Sequence, residues 1–165
     1  MLELAQILCL SIGPMNLPPA REKLACEMMP AVIKEARKNN LRPTLLLAMI
    51  HVESAWKKTA ISSSNACGLT QMLPKYTGSK QTGVPKLTCK QLQNPRVSIK
   101  MGARTLKYWI KSYGRGKEKV GLCGYNKGFR CKGANPHPRG MMYARKVLRI
   151  ERSIKRTQNK IQGQD

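Results

Sequence analysis

Hydrophobic residues recur at helical spacing along most of this chain. Residues 1–13 carry Leu2, Leu4, Ile7, Leu8, Leu10 and Ile12 and read as a first buried helix closed by Gly13-Pro14. Ala31 to Lys38 predicts a helix starting at Pro30, with Val32, Ile33 and Ala36 inward and Asn39-Asn40 ending it. Pro43-Thr44 opens the next, where Leu45, Met49, Val52 and Trp56 form a stripe flanked by Leu46, Ile50 and Glu53. Asn94-Pro95 starts a helix with Ile99, Gly102, Ala103, Leu106, Trp109, Ile110 and Tyr113 on one face, and Gly102 and Ala103 leave room for another helix. A shorter helix spans Lys117 to Tyr125, and Lys127-Gly128 begins a loop running to Pro138. Met142 to Thr157 closes the fold: Tyr143, Val147, Ile150 and Ile154 point inward, while Arg145, Lys146, Arg149, Arg152, Lys155 and Arg156 point outward.

The helical period fails from Ser62 to Gln93, which is rich in Ser, Thr, Gly, Pro and Lys and reads as a long loop or small hairpin region. The expected class is therefore mainly α, with that irregular region set against a helical body. No repeat or break in composition divides the 165 residues, so one domain is expected.

Charge changes the picture of partners. Lys and Arg total 31 against 8 acids, a formal net charge of +23. Such a surface concentrates near nucleic acid, anionic lipid or anionic wall polymer. Zinc-finger spacing and an aromatic RNA-binding signature are both missing, and there is only one Phe, so no nucleic-acid partner is expected. The basic face of the last helix is either solvated or a contact for an anionic membrane. No apolar run approaches the roughly 20 residues a bilayer requires. Residues 1–13 lack a basic start and carry Glu3, a poor secretory signal, so action outside the cytoplasm would need a dedicated route of release.

The cysteines are Cys9, Cys26, Cys67, Cys89, Cys123 and Cys131. An even number suits disulfides without fixing their pairing. Buried thiols or one or two bridges are expected rather than metal, because Cys123, Cys131 and His137 match no zinc spacing. No metal or cofactor is expected.

One residue carries the candidate chemistry. Glu53 is the only acid between Glu35 and Glu118. A lone carboxyl at the edge of an apolar helix face is held protonated by burial and can donate and accept a proton. The plainer reading is a surface Glu balanced by Lys57 at i+4. Ordinary glycosidases use two carboxylates roughly 5 to 9.5 Å apart. No Asp or Glu lies between residues 54 and 117, so the loop after this helix supplies no second carboxylate, and Glu118, on the helix leading to Tyr125, remains a possible one.

Glu53-Ser54-Ala55-Trp56-Lys57-Lys58-Thr59-Ala60-Ile61-Ser62, then Ala66-Cys67-Gly68-Leu69-Thr70-Gln71-Met72-Leu73-Pro74, resembles the signature of soluble-type (SLT) lytic transglycosylases. Asn94-Pro95 with Ile99, Gly102 and Leu106, then Gly124-Tyr125-Asn126-Lys127-Gly128, then Tyr143 with Val147-Leu148, agree with it in order. The resemblance implies a lysozyme-like core over residues 30–150, an N-terminal helical extension over 1–29 and a basic tail over 151–165. It also implies cleavage of the MurNAc-β-1,4-GlcNAc bond of peptidoglycan strands by a monomer at the bacterial cell wall, leaving a 1,6-anhydro end. Glu53 would be the acid and base, with Ser62, Gln71, Leu73, Tyr125, Asn126 and Tyr143 turned to the substrate cleft.

Four of these have a plainer role: Ser62 caps a turn, Gln71 satisfies loop backbone, and either Tyr is core. Trp56 replaces the usual Phe, Asn65 a Gly, Thr70 a Met, and Lys127 a small residue that could now meet peptide-stem carboxylates. Two other functions compete: a lysozyme hydrolysing the same bond, and a non-enzymatic cationic binder of wall, membrane or nucleic acid. A phage lysin or the wall-opening enzyme of a secretion apparatus would suit the charge.

Overall fold

The most apolar segment of the chain becomes its axis. Helix α3 (Pro43–Ser54) buries every residue from Thr44 to Ile50, the behaviour of a helix that is apolar on all sides. The computed structural model describes residues 3–163; Leu2, assigned by its pattern to the first helix, lies outside them. α1 (Leu4–Leu10) packs on α2 (Pro19–Lys38), with Ile7, Leu8 and Ile12 buried.

α2 begins eleven residues before the start predicted at Pro30, which lies inside it. Pro30 is exposed, so its missing N–H falls on the solvent side. Ala25, Met28, Met29, Val32 and Ala36 keep the buried stripe continuous past it.

α5 (Pro95–Lys107) lies against α2 and runs into a π-helical turn, Tyr108–Tyr113. The wider turn divides the predicted face: Leu106 and Ile110 enter the main core, whereas half-buried Trp109 joins Tyr113, Cys123 and Cys131 in a smaller cluster. Gly102 admits a loop rather than a helix, since a Cβ there would stand 2.5 Å from the Thr70 side chain. α6 (Glu118–Lys127) and α7 (Pro138–Gln162) complete the body, and α7 packs on both α3 and α6. α2 crosses residue 30 and α7 crosses residue 150 without interruption.

The irregular region is folded around its own small core of Cys67, Met72, Val84, Leu87, Leu92 and Met101. It contains a short 3-10 turn, Pro74–Tyr76, and a one-turn helix, α4 (Cys89–Leu92). Among the described residues, β structure is confined to two antiparallel bridges, Ile61 with Cys67 and Cys67 with Met72.

All six cysteines are paired, as Cys9–Cys26, Cys67–Cys89 and Cys123–Cys131, three bridges where one or two were expected. Each closes a short local loop, so neighbours already near in sequence needed no long-range geometry to meet. The N-terminus of α3 is tied to α6 and α7 through Arg42, which donates to Glu118 at 2.6 Å and to Glu151 at 2.7 Å. Thr44 also donates to Glu151, at 2.8 Å. Burial opposes a charge on Glu151, but these partners prevail and hold its pKa below the usual carboxylate value.

Candidate active site

Glu53 lies in the last turn of α3, immediately before the chain reverses through Ala55 and Trp56. Both reversing residues are left-handed, with φ of 45° and 63°. For non-glycine residues this costs roughly 1–2 kcal/mol each, and the fully buried Trp56 ring supplies the packing that holds it. Trp56 is therefore core, but it arrives by a turn rather than by helical period. Val52, predicted in the same stripe, is half-buried and lines a cleft.

From the opposite wall, Tyr143 of α7 donates a hydrogen bond to Glu53 Oε1 at 2.5 Å. Glu53 is half-buried as a residue, but protein packs closely around its carboxyl group. Desolvation pushes its pKa up to about 7, against the opposing effects of the Tyr143 hydrogen bond and the Lys127 charge. Lys57 is exposed and makes no ion pair with it, so the surface-pair reading does not describe this carboxyl. Tyr143 and Tyr125 both have pKa values raised well above the ordinary phenol value, first by burial and then by the Glu53 charge. Both remain hydrogen-bond donors at neutral pH.

Tyr125 does not reach the carboxyl. Its hydroxyl donates to the Thr70 backbone oxygen at 2.7 Å. Thr70 is itself fixed, donating its backbone N–H to Ser98 Oγ at 3.1 Å and its hydroxyl to the Ser98 carbonyl at 3.0 Å. The loop is fastened to α3 as well, where Ser54 Oγ donates to the Leu69 carbonyl at 2.9 Å.

Gln71, left-handed at φ 49°, uses its amide N–H to hold the Ala60 and Gly68 carbonyls at 3.2 and 2.9 Å. Ser62 Oγ accepts from the N–H groups of Ser64 and Ala66 at 3.2 and 3.0 Å, the turn-capping arrangement, and it lines neither cleft described below. Asn65 occupies a left-handed position, φ 64°, which Asn tolerates better than most residues. Gly68, at φ 78°, passes so close to Leu92 that a Cβ would fall 2.0 Å from its carbonyl oxygen.

Two concavities open at this junction and share Asn126. One, of about 570 Å³, is a groove bordered by Gln71, Leu73, Tyr125, Asn126 and Lys127. Its far wall is aromatic: the Trp109 ring lies 5.0 Å from that of Phe129, tilted by 53°, and Phe129 is 66% exposed. The other, of about 950 Å³, contains Glu53 and Tyr143 and runs along α7 between basic side chains. Glu53 is the sole acid lining either one. Glu118 is held by Arg42, outside both.

Residues 30–140 match the Transglycosylase SLT domain family model. The chain belongs to this family. It is 34% identical over 97 residues to the endo-type membrane-bound lytic murein transglycosylase A of Enterobacter sp. (strain 638), covering 54% of this chain and 46% of that protein. It is 39% identical over 57 residues to the membrane-bound lytic murein transglycosylase C of Actinobacillus pleuropneumoniae serotype 5b (strain L20), 34% of this chain and 16% of that one. The chain thus spans less than half the length of these curated relatives. The fold matches an inactive mutant of lytic transglycosylase Slt from Pseudomonas aeruginosa, with TM-score 0.64 and 22% identity over 82% of this chain and 24% of that one.

The aromatic wall and the basic side of the site escaped the sequence reading. Phe129 stood alone in a loop, and the cations of α7 were read as a solvated face or a membrane contact, not as part of the cleft. Their spacing at Arg145, Arg149 and Arg152 was the available signal.

Proposed function

We propose that this chain is a peptidoglycan lytic transglycosylase that cleaves the MurNAc-β-1,4-GlcNAc bond with a single carboxyl group. The observation carrying the reading is Glu53, an isolated acid with its pKa near 7 and a tyrosine donor on one oxygen, in a cleft that has no second carboxylate. Family membership and the relatives' names point the same way.

The chemistry balances without water. Protonated Glu53 gives its proton to the glycosidic oxygen as the C1–O bond breaks. The C6 hydroxyl oxygen of the same MurNAc then bonds to C1, and its proton returns to Glu53. A pKa near 7 suits both roles, and such transfer contributes about 10²–10⁴ in rate. Two-carboxylate hydrolysis would need a partner roughly 5 to 9.5 Å away, and the clefts supply none. Tyr143 orients the acid, while Tyr125, Asn126, Gln71 and Leu73 shape the sugar groove; Ser62 retains only its hydroxyl proton for a substrate.

The chain acts as one monomeric domain: a core over 30–150, an extension over 1–29 and a tail over 151–165. It works on the wall in the periplasm, where three disulfides are stable. Mass spectrometry of digested sacculi tests the activity. The expected muropeptides are lighter by one water than hydrolysed ones and absent with Glu53→Gln; reducing ends from the wild type would support a lysozyme instead.

A further inference from the structure

The larger concavity holds a concentration of charge that cleavage of a neutral glycan does not use. Lys119 of α6 and Arg145, Lys146, Arg149 and Arg152 of α7 line it, and all five are exposed. Among the described residues, none of the five makes an ion pair. The acid nearest along α7, Glu151, is buried on the other side and engaged by Arg42 and Lys155. Between the cations lie Val52, Met142 and Leu148, so the trough has apolar ground as well as charge. Lys146 is close enough to His51 that its charge adds to burial in lowering the imidazole pKa.

We infer that this trough is a subsite for the carboxylate-bearing peptide stem of the MurNAc residue undergoing cleavage. The inference rests on the transglycosylase reading, because that reading places the lactyl group from which the stem grows beside Glu53. Tyr143, bonded to Glu53, adjoins Met142 at the start of the stretch of α7 that lines the trough. From Met142 to Arg152, ten residues of helix span roughly 15 Å. An extended peptide advances about 3.3–3.6 Å per residue, so the trough takes about four residues. That length and several free carboxylates describe a wall stem peptide.

Lys127, the residue that sequence suggested for this role, borders the sugar groove instead. A planar membrane would be met by a convex or flat basic face, whereas these cations surround a hollow of about 950 Å³. Three exposed pairs at the usual worth of such contacts amount to roughly ten-fold in affinity.

The test measures binding of two glycan probes of equal length to the full chain carrying Glu53→Gln, one retaining its tetrapeptide stems and one stripped of them by an amidase and then amidated at the lactyl carboxylates this exposes. At low salt the stem-bearing strand should bind about ten-fold tighter, and the ratio should fall towards one when Arg145→Gln, Arg149→Gln and Arg152→Gln are combined. It should fall likewise in the parent when NaCl is raised to roughly 0.5 M. A ratio near one in the parent, or a ratio surviving both treatments, would overturn the subsite. Tighter binding of polyglycerol phosphate than of stem-bearing strands, lost in the same triple variant, would overturn it in favour of a phosphate polymer. Wild-type cleavage of the stem-bearing strands separates the two failures: cleavage without any affinity ratio removes the stem subsite alone, and no cleavage of those strands removes the enzyme reading.

Discussion

The two hollows that meet at Asn126 are built from different chemistry. The smaller is walled by Trp109, Phe129 and Tyr125, and disulfides fasten both flanking segments, Cys67–Cys89 behind the loop and Cys123–Cys131 beside Phe129. The larger is lined by exposed cations on long side chains. Sugars present flat C–H faces and hydroxyl groups, which stacking and fixed dipoles recognise. Charged substituents are met by mobile cations that need no fixed geometry. Glu53 belongs to the basic hollow, yet it is the group there whose ionisation burial resists. The contrast separates proton chemistry, which requires rigid positioning, from attraction, which does not.

The largest effect should come from removing the shared acid. Glu53→Gln is expected to lower turnover of purified peptidoglycan by about 10²–10⁴. The same change should stabilise the fold at high pH. The folded pKa of Glu53 lies at about 7 against an ordinary value of 4.5 in the unfolded chain, so native Glu53 favours folding fully below about 4.5 and loses that contribution as pH rises towards 7. Thermal melts should therefore show the Gln variant more stable than wild type at pH 8 and equal to it at pH 4; equality at both would remove the burial argument.

Next in size is Tyr143→Phe, which deletes the hydrogen bond to the carboxyl. A bond of this charge-assisted kind is worth about 1.5–3 kcal/mol, so kcat should fall roughly 10- to 100-fold. Steady-state kinetics on soluble glycan strands would read it, and an unchanged kcat would assign Tyr143 to packing alone.

Phe129→Ala sharpens the contrast between the two sides. Loss of an exposed stacking ring should raise KM several-fold at any salt concentration, since one aromatic contact is worth about 0.5–1.5 kcal/mol. A salt-dependent change would place Phe129 in the charged system instead.

The smallest expected change is a displacement of a pH profile. Activity needs protonated Glu53, so kcat/KM should decline as pH rises through about 7. Lys127 lowers that pKa by its charge, and Lys127→Met should move the alkaline limb upward. A downward displacement would contradict the assignment.

Much of this was legible before any coordinates. The run from Leu45 to Ile50 forced a buried central helix, and its lone acid pointed to the chemistry. The failure of helical period after Ser62 marked the irregular region correctly. What stayed hidden depends on contacts across the fold. Pro30 looked like a helix start because sequence does not reveal that its missing N–H faces solvent. Tyr125 and Tyr143 could not be ranked, because the carbonyl that captures Tyr125 belongs to Thr70, 55 positions away. The π turn moved Trp109 off its predicted face and into the groove wall. The cations of α7 do face outward as their spacing predicted, but only packing on α3 and α6 turns that face into a hollow.

Digestion of peptidoglycan in water enriched in oxygen-18 tests the one-carboxyl mechanism most directly. If the MurNAc C6 hydroxyl closes on C1 while Glu53 carries the proton out and back, the new ends contain no heavy oxygen and the products appear as anhydro sugars. Incorporation of one labelled oxygen at C1 in the initial products would show that water is the nucleophile and contradict the account.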